Sequence, residues 1–198
     1  KVKIKPVYIL ISSCDRLCGG GYIAGPHASW LLRVKGENEI MSGGDNLRTG
    51  GELLVDSLLA NNVDRAFCVP GESYLAALDA LHGAPSIDLM TCRQESGAAM
   101  MADAYGKLTG RPGICFVTRG PGATNASAGV HIAFQDSTPM ILFVGQVGRE
   151  MRDREAFQEI DFRRMFGQMT KWVAEIDDAA RVPEYVSRAF HTAVAGRA

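Results

Sequence analysis

The stretch RQESGAAMMADAYGKLTGRPGICFVTRGPGATNASAGVHIAFQDSTPMILFVGQV, residues 93–147, decides the fold. It reads as helix, strand, helix, strand. Gln94 to Leu108 is rich in Ala and Met and is stopped by Thr109-Gly110, with Pro112 just beyond, the punctuation of a helix end. Gly113 to Thr118 is a short run, apolar from Ile114 to Val117, and Met140 to Val144 is a second; Gly122 to Phe134 is the helix between them. Strands that are apolar throughout, rather than alternating, are those buried on both faces, as in a parallel sheet covered by helices.

The same alternation extends outward. Upstream, Leu53, Leu54, Ser57, Leu58 and Val63 recur at helical spacing, Ala66 to Val69 is a strand stopped by Pro70-Gly71, Tyr74 to Leu81 is a helix, and Ile87 to Cys92 is a strand. Downstream, an irregular stretch runs through Phe157, Lys171-Trp172-Val173 reads as a strand, and Ala179 to Val194 as a closing helix. The predicted class is α/β, a doubly wound, mostly parallel sheet with helices on both faces.

Composition agrees. The 198 residues are 46% hydrophobic and 22% charged, with 22 glycines and 8 prolines, which excludes a disordered, collagenous or simple coiled-coil chain. Basic and acidic side chains number 21 and 22, so there is no broad electrostatic footprint for nucleic acid or an anionic membrane. No apolar run approaches the ~18 residues of a spanning helix. Residues 1–40 carry six basic and three acidic side chains against 15 and 19 in the remainder, and they lack any sustained period. The chain therefore divides into an N-terminal extension, 1–45, with no assigned fold, and a globular domain, 46–198. Met41, followed by the polar SGGDNLRTGG, reads as a start with an extension before it; the alternative is a small hairpin packed on the domain. The five cysteines, an odd number scattered through the chain, read as free thiols and point to the cytoplasm. Cys14 and Cys18 lack a second ligand pair at zinc-site spacing, so no metal site is read there.

In a doubly wound sheet, ligands bind beyond the carboxyl ends of the strands. Four places qualify: Pro70-Gly71-Glu72, Arg93-Gln94-Glu95, Arg119-Gly120-Pro121-Gly122, and Gln146 onward. In TRGPGATNASAG, residues 118–129, the glycines make a tight turn and the following helix offers free amides to an anion. The loop fails the dinucleotide test, however. It follows the third strand rather than opening a first βαβ unit, and it has no acidic ribose partner about 20 residues on. Glu95 sits in a first helical turn, where the dipole alone favours a carboxylate by roughly 0.3–1 kcal/mol. Its small or apolar neighbours Gly97, Ala98, Ala99, Met100 and Met101 indicate a helix start packed against another surface.

Residues 93–147, with AFQEID at 156–161 and TKW at 170–172, resemble the N-terminal pyrimidine-binding domain of thiamine-diphosphate-dependent enzymes, and within them the acetolactate synthase family. The resemblance runs from Gly51 to the C-terminus. It implies the thiamine-diphosphate-binding fold, action on a 2-keto acid as a carboligase or decarboxylase, and thiamine diphosphate as cofactor. It also implies a role for Glu95: hydrogen-bonding N1′ of the aminopyrimidine, so that the cofactor's own imino nitrogen takes the thiazolium C2 proton. A carboxyl group suits this role because it both hydrogen-bonds and exchanges a proton. By the same resemblance Pro70, Gly71, Thr118, Pro121 and Asn125 line the cofactor, and Phe157 and Gln158 approach the substrate side. Arg197 matches a segment that touches flavin in acetolactate synthases, which admits FAD; relatives without flavin carry a similar Arg.

One departure stands out: the family's Pro-Gly-Gly is here Pro70-Gly71-Glu72, which puts a charged side chain beside the cofactor loop and bears on acetolactate-forming specificity. The family's Mg²⁺-binding Gly-Asp-Gly…Asn segment does not occur in these residues, so the expectation is a fragment, inactive alone, of a homodimer or homotetramer. Two other readings remain, a Rossmann-type nucleotide-binding domain and a non-catalytic dimerisation module on the same fold.

Overall fold

The computed structural model describes residues 7–11, as backbone, and residues 48–195. Six strands form one sheet, β1 (Val7–Ile11), β2 (Arg65–Cys68), β3 (Asp88–Thr91), β4 (Gly113–Val117), β5 (Met140–Val144) and β6 (Trp172–Ile176). Their order is β3-β2-β4-β5-β1-β6, and every neighbouring pair is parallel. The helices are α1 (Gly50–Ala60), α2 (Leu75–His82), α3 (Glu95–Thr109), α4 (Pro121–Asp136), α5 (Phe162–Phe166) and α6 (Val182–Val194). The α/β class and the parallel sheet stand as read from the sequence.

Both faces of the sheet are covered, which is why β4 and β5 at its centre carry no charged or hydrogen-bonding polar side chain. On β4, Ile114 and Phe116 join the core under α1, α2 and α6, while Cys115 and Val117 join the core under α3, α4 and α5. The first core is built on aromatics: Phe116 stacks on Phe143 with centroids 4.8 Å apart and on Tyr74 at 5.9 Å. The second is built on small residues, with Ala98, Ala99 and Ala102 of α3 against Ala123, Ala126, Val130 and Ala133 of α4. There the two helices come so close that a methyl group at Gly129 would lie 2.6 Å from Ala99 Cβ and 2.8 Å from the backbone of Ala99 and Met100.

The chain leaves β2 towards the β3 edge through α2, then returns past β2 to β4 through α3. Right-handed crossovers running in opposite directions place their helices on opposite faces, as α2 and α3 are. The carboxyl ends of β2 and β4 therefore diverge into a crevice, the switch point where such folds bind ligands. Local signals fix the elements around it. Thr49 and Glu52 form a reciprocal capping box on α1. Gln94 caps α3 by accepting from Gly97 N at 3.1 Å, and Gly110, at φ 70°, closes it.

Three features differ from or extend the sequence reading. Strand β6 runs on to Ile176, its run masked by Glu175, whose carboxylate pairs with Arg152; burial pushes the Glu175 carboxyl above its ordinary range, with Arg152 opposing. Helix α5, capped by Asp161 accepting from Arg164 N, is too short to show a period. Strand β1 comes from the stretch that the sequence left without a fold and lies between β5 and β6. Among the described residues no helix is long and apolar enough to cross a membrane.

Candidate active site

Glu95 opens α3 immediately beyond β3, half-buried, and its Oε2 accepts a hydrogen bond from Asn125 Nδ2 at 3.0 Å. Asn125 belongs to the first turns of α4, so the bond joins the starts of the two helices whose close contact Gly129 permits. The other carboxylate oxygen, Oε1, has no hydrogen-bond partner among the described residues. A methyl group at Gly122 would approach it to 3.5 Å and would meet Thr118 Cγ2 at 2.8 Å. Gly71 likewise has room for no side chain, since a Cβ there would lie 2.5 Å from Thr118 Cβ. Thr118, the first residue beyond β4, is thus wedged between Gly71 in the loop after β2 and Gly122 at the start of α4. Pro121 begins α4, and both it and Pro70 are exposed.

Ser73, which the sequence reading passed over, ties these loops together. It is fully buried; its Oγ shares a hydrogen bond with Thr118 Oγ1 at 2.8 Å and accepts from Arg119 N at 3.2 Å. No run or period marks it, because its partners lie more than forty residues away.

The loop of Gly120 meets a third segment. Gly120 sits at φ 59°, a conformation that disfavours a side chain, and a Cβ there would strike Gln158 Cβ at 2.7 Å and Gln158 O at 2.8 Å. Phe157, next to it, is 73% exposed, and its carbonyl accepts from Arg119 Nε at 2.9 Å. A cavity of about 220 Å³ lies here, lined by Arg119, Gln146, Val147, Met151, Ala156 and Phe157. A larger one, about 920 Å³, shares Gln146 and Ala156 with it and is lined further by Arg152, Glu159, Arg163 and Glu175. Glu95 lines neither of these two; its side chain is half-buried, and its partner Asn125 is exposed.

The structure thus brings Glu95, Asn125, Thr118, Gly71 and Pro121 to one crevice and sets Phe157 and Gln158 against its Gly120 wall. Arg197 lies outside the described residues, as do Cys14, Cys18 and Met41. Among the described residues no group of three or more His, Cys, Asp or Glu could hold a metal ion. Cys68, Cys92 and Cys115 are free, and burial pushes all three thiols up from their ordinary range.

A family model described as "Thiamine pyrophosphate enzyme, N-terminal TPP binding domain" matches residues 48–165. The chain is 37% identical over 150 residues to a mitochondrial acetolactate synthase of Schizosaccharomyces pombe, covering 76% of this chain and 22% of that protein. It is 38% identical over 149 residues to the acetolactate synthase of Bacillus subtilis, covering 75% and 26%. To a probable acetolactate synthase large subunit of Methanococcus aeolicus it is 40% identical over 148 residues, covering 75% and 24%. The chain spans about a quarter of the length of these curated relatives.

Proposed function

The chain belongs to the thiamine pyrophosphate enzymes, with residues 48–165 as their N-terminal cofactor-binding domain, and on that premise we propose that Glu95 activates the cofactor for reaction with a 2-keto acid. The observation that carries the proposal is the state of its carboxylate. Asn125 fixes one oxygen at 3.0 Å, and the other has no hydrogen-bond partner among the described residues. Gly71 and Gly122 let Thr118 pack tightly between them beside Glu95, and a carboxylate set beside an amide is a donor and acceptor set that fits the polar edge of an aminopyrimidine.

When bound, thiamine diphosphate supplies the acidic thiazolium C–H and the electron sink that decarboxylation and carboligation of 2-keto acids require. Glu95 would hydrogen-bond the pyrimidine N1′ and exchange a proton with it. A carboxyl group does both, whereas an amide does only the first. Asn125 orients that carboxyl group. Thr118, Pro121, Pro70 and Gly71 form the wall of the pocket, and Phe157 and Gln158 face the substrate.

The reading extends to the whole enzyme as an acetolactate synthase-like carboligase or decarboxylase. Mg²⁺ and the diphosphate would be held by a part of the protein outside these residues, and FAD would be met through Arg197. The exposed Met100, Met101 and Ile132 on α3 and α4, the helices that carry Glu95 and Asn125, support a site completed by a second subunit, in a homodimer or homotetramer. These residues alone would then be inactive. A cytoplasmic location is part of the same reading and rests on the odd number and scatter of the cysteines in the sequence. Calorimetric titration of the full-length protein with thiamine diphosphate and Mg²⁺, against a nicotinamide nucleotide, tests the reading. Binding of the first alone is expected; binding of the nucleotide alone, or of neither, would overturn it.

A further inference from the structure

Between β5 and α5 the chain makes only a single 3₁₀ turn, Arg149–Met151, before three residues adopt left-handed backbone: Asp153 at φ 57°, Glu155 at φ 53° and Gln158 at φ 64°. Glu and Gln rarely sit there, because Cβ crowds the carbonyl that follows. The conformation of this segment is therefore held by hydrogen bonds, some within it and some from outside, rather than by the backbone preference of its residues. Glu159 accepts from the backbone N–H groups of Asp153 at 3.0 Å and Ala156 at 3.3 Å, and Gln146 donates to Ile160 O at 2.9 Å. These bonds hold its flanks. At Phe157 itself the hold is Arg119 Nε, donating to the carbonyl at 2.9 Å.

Arg119 is well placed for this. Its side chain is only 12% exposed, and its Nη2 pairs at 2.5 Å with Oε1 of Glu72, which is 65% exposed. A guanidinium is a rigid planar fork, so two bonds from different nitrogens fix its plane as well as its position. One side chain thereby links the loop after β2, the loop after β4 and the segment carrying Phe157 and Gln158. Glu72 is also the residue that departs from the family's Pro-Gly-Gly, which gives the departure a structural role.

We propose that Arg119 is a positioning residue, braced by Glu72, that holds Phe157 and Gln158 in register on the substrate side of the site. The inference rests on the function proposed above. It concerns the seat of the 2-keto acid rather than binding of the cofactor, so the two separate in experiment.

The test uses the full-length protein, with pyruvate as the simplest 2-keto acid. In Arg119→Ala, loss of the charge-assisted hydrogen bond to Phe157 O, together with the Glu72 pair that braces it, is expected to raise KM about tenfold or more, with the cofactor Kd held within about threefold. Native-state trypsin cleavage after the exposed Arg149 and Arg154 should accelerate about tenfold, reporting release of the segment without reference to activity. Arg119→Lys, a point charge without the fork, should fall between the two. Glu72→Ala, at an exposed position that does not threaten folding, should shift both readouts in the same direction by about threefold. Unchanged KM and cleavage in both the Arg119→Ala and Glu72→Ala proteins would overturn the inference, as would a loss of cofactor affinity parallel to the rise in KM. If the wild-type protein neither binds the cofactor nor turns over, the functional reading fails, and the cleavage rates alone then decide whether Arg119 holds the segment.

Discussion

Replacing Gly129 by Ala tests the contact on which the site is built. A Cβ at this position would lie 2.6 Å from Ala99 Cβ and 2.8 Å from Ala99 C and Met100 N, whereas carbon atoms pack at about 3.5–4.0 Å. Two of the three obstructing atoms are backbone, so relief requires α3 and α4 to separate by roughly an ångström. Overpacking of this kind costs about 1–3 kcal/mol, and the backbone obstruction places Gly129 near the upper end. Helix propensity returns about 1 kcal/mol for Gly→Ala in a helix interior. The net is a loss of about 2 kcal/mol, which at a urea slope of roughly 2 kcal/mol/M lowers the midpoint by about 1 M with the slope unchanged. Gly97→Ala is the control, since nothing lies within 4 Å of its added methyl group. It should leave the midpoint unchanged or raise it slightly. Because Asn125 lies one turn above Gly129, the same separation would stretch the Asn125–Glu95 bond, and cofactor affinity should fall along with stability. A Gly129→Ala protein as stable as wild type would show that propensity wins and that the helices do not approach as closely as described.

Two further predictions concern buried polar groups. Burial pushes Tyr74, Cys68 and Cys115 above their ordinary ranges, so the folded chain keeps protons that the unfolded chain releases in alkali. The sign follows: their contribution is complete below the unfolded values, 9.0 for the thiols and 10.0 for the phenol, and is lost as pH rises past them. The urea midpoint should hold to about pH 8 and fall steadily towards about pH 11, and a midpoint that is flat or rising over that range would refute the burial. Ser73→Ala removes the acceptor for Arg119 N and the partner of Thr118, leaving a backbone donor unsatisfied at a cost of about 1–3 kcal/mol. Stability and cofactor affinity should both drop, and a neutral substitution would show that the loops are held without it.

What the sequence made legible follows from how far apart the interacting residues are. Ile114 to Val117 and Met140 to Val144 are apolar at every position because each strand meets a core on both sides, so their burial and parallel setting were readable locally. Gly110 and Pro121 mark helix ends through backbone geometry that other residues resist. Strand order leaves no such trace, and the place of Val7–Ile11 between β5 and β6 is decided by pairing across distant segments. The site shows the same limit. Glu95 was legible as a candidate through resemblance to a family, but its bond to Asn125 spans 30 residues, and the links from Arg119 to Ser73, Glu72 and Phe157 span 46, 47 and 38. Glu72, visible as a departure from the family's loop, acquired a role only when its partner appeared.

The central claim is that the Glu95 carboxyl group exchanges a proton with the cofactor. The most direct measurement is deuterium exchange at C2 of thiamine diphosphate bound to the full-length protein, comparing wild type with Glu95→Gln. The amide keeps the hydrogen bond and loses the proton exchange, so cofactor affinity should change by only a few-fold while exchange and 2-keto acid turnover both slow by about 10²–10⁴-fold. Exchange as fast in the Gln variant as in wild type, with the cofactor bound, would contradict the claim.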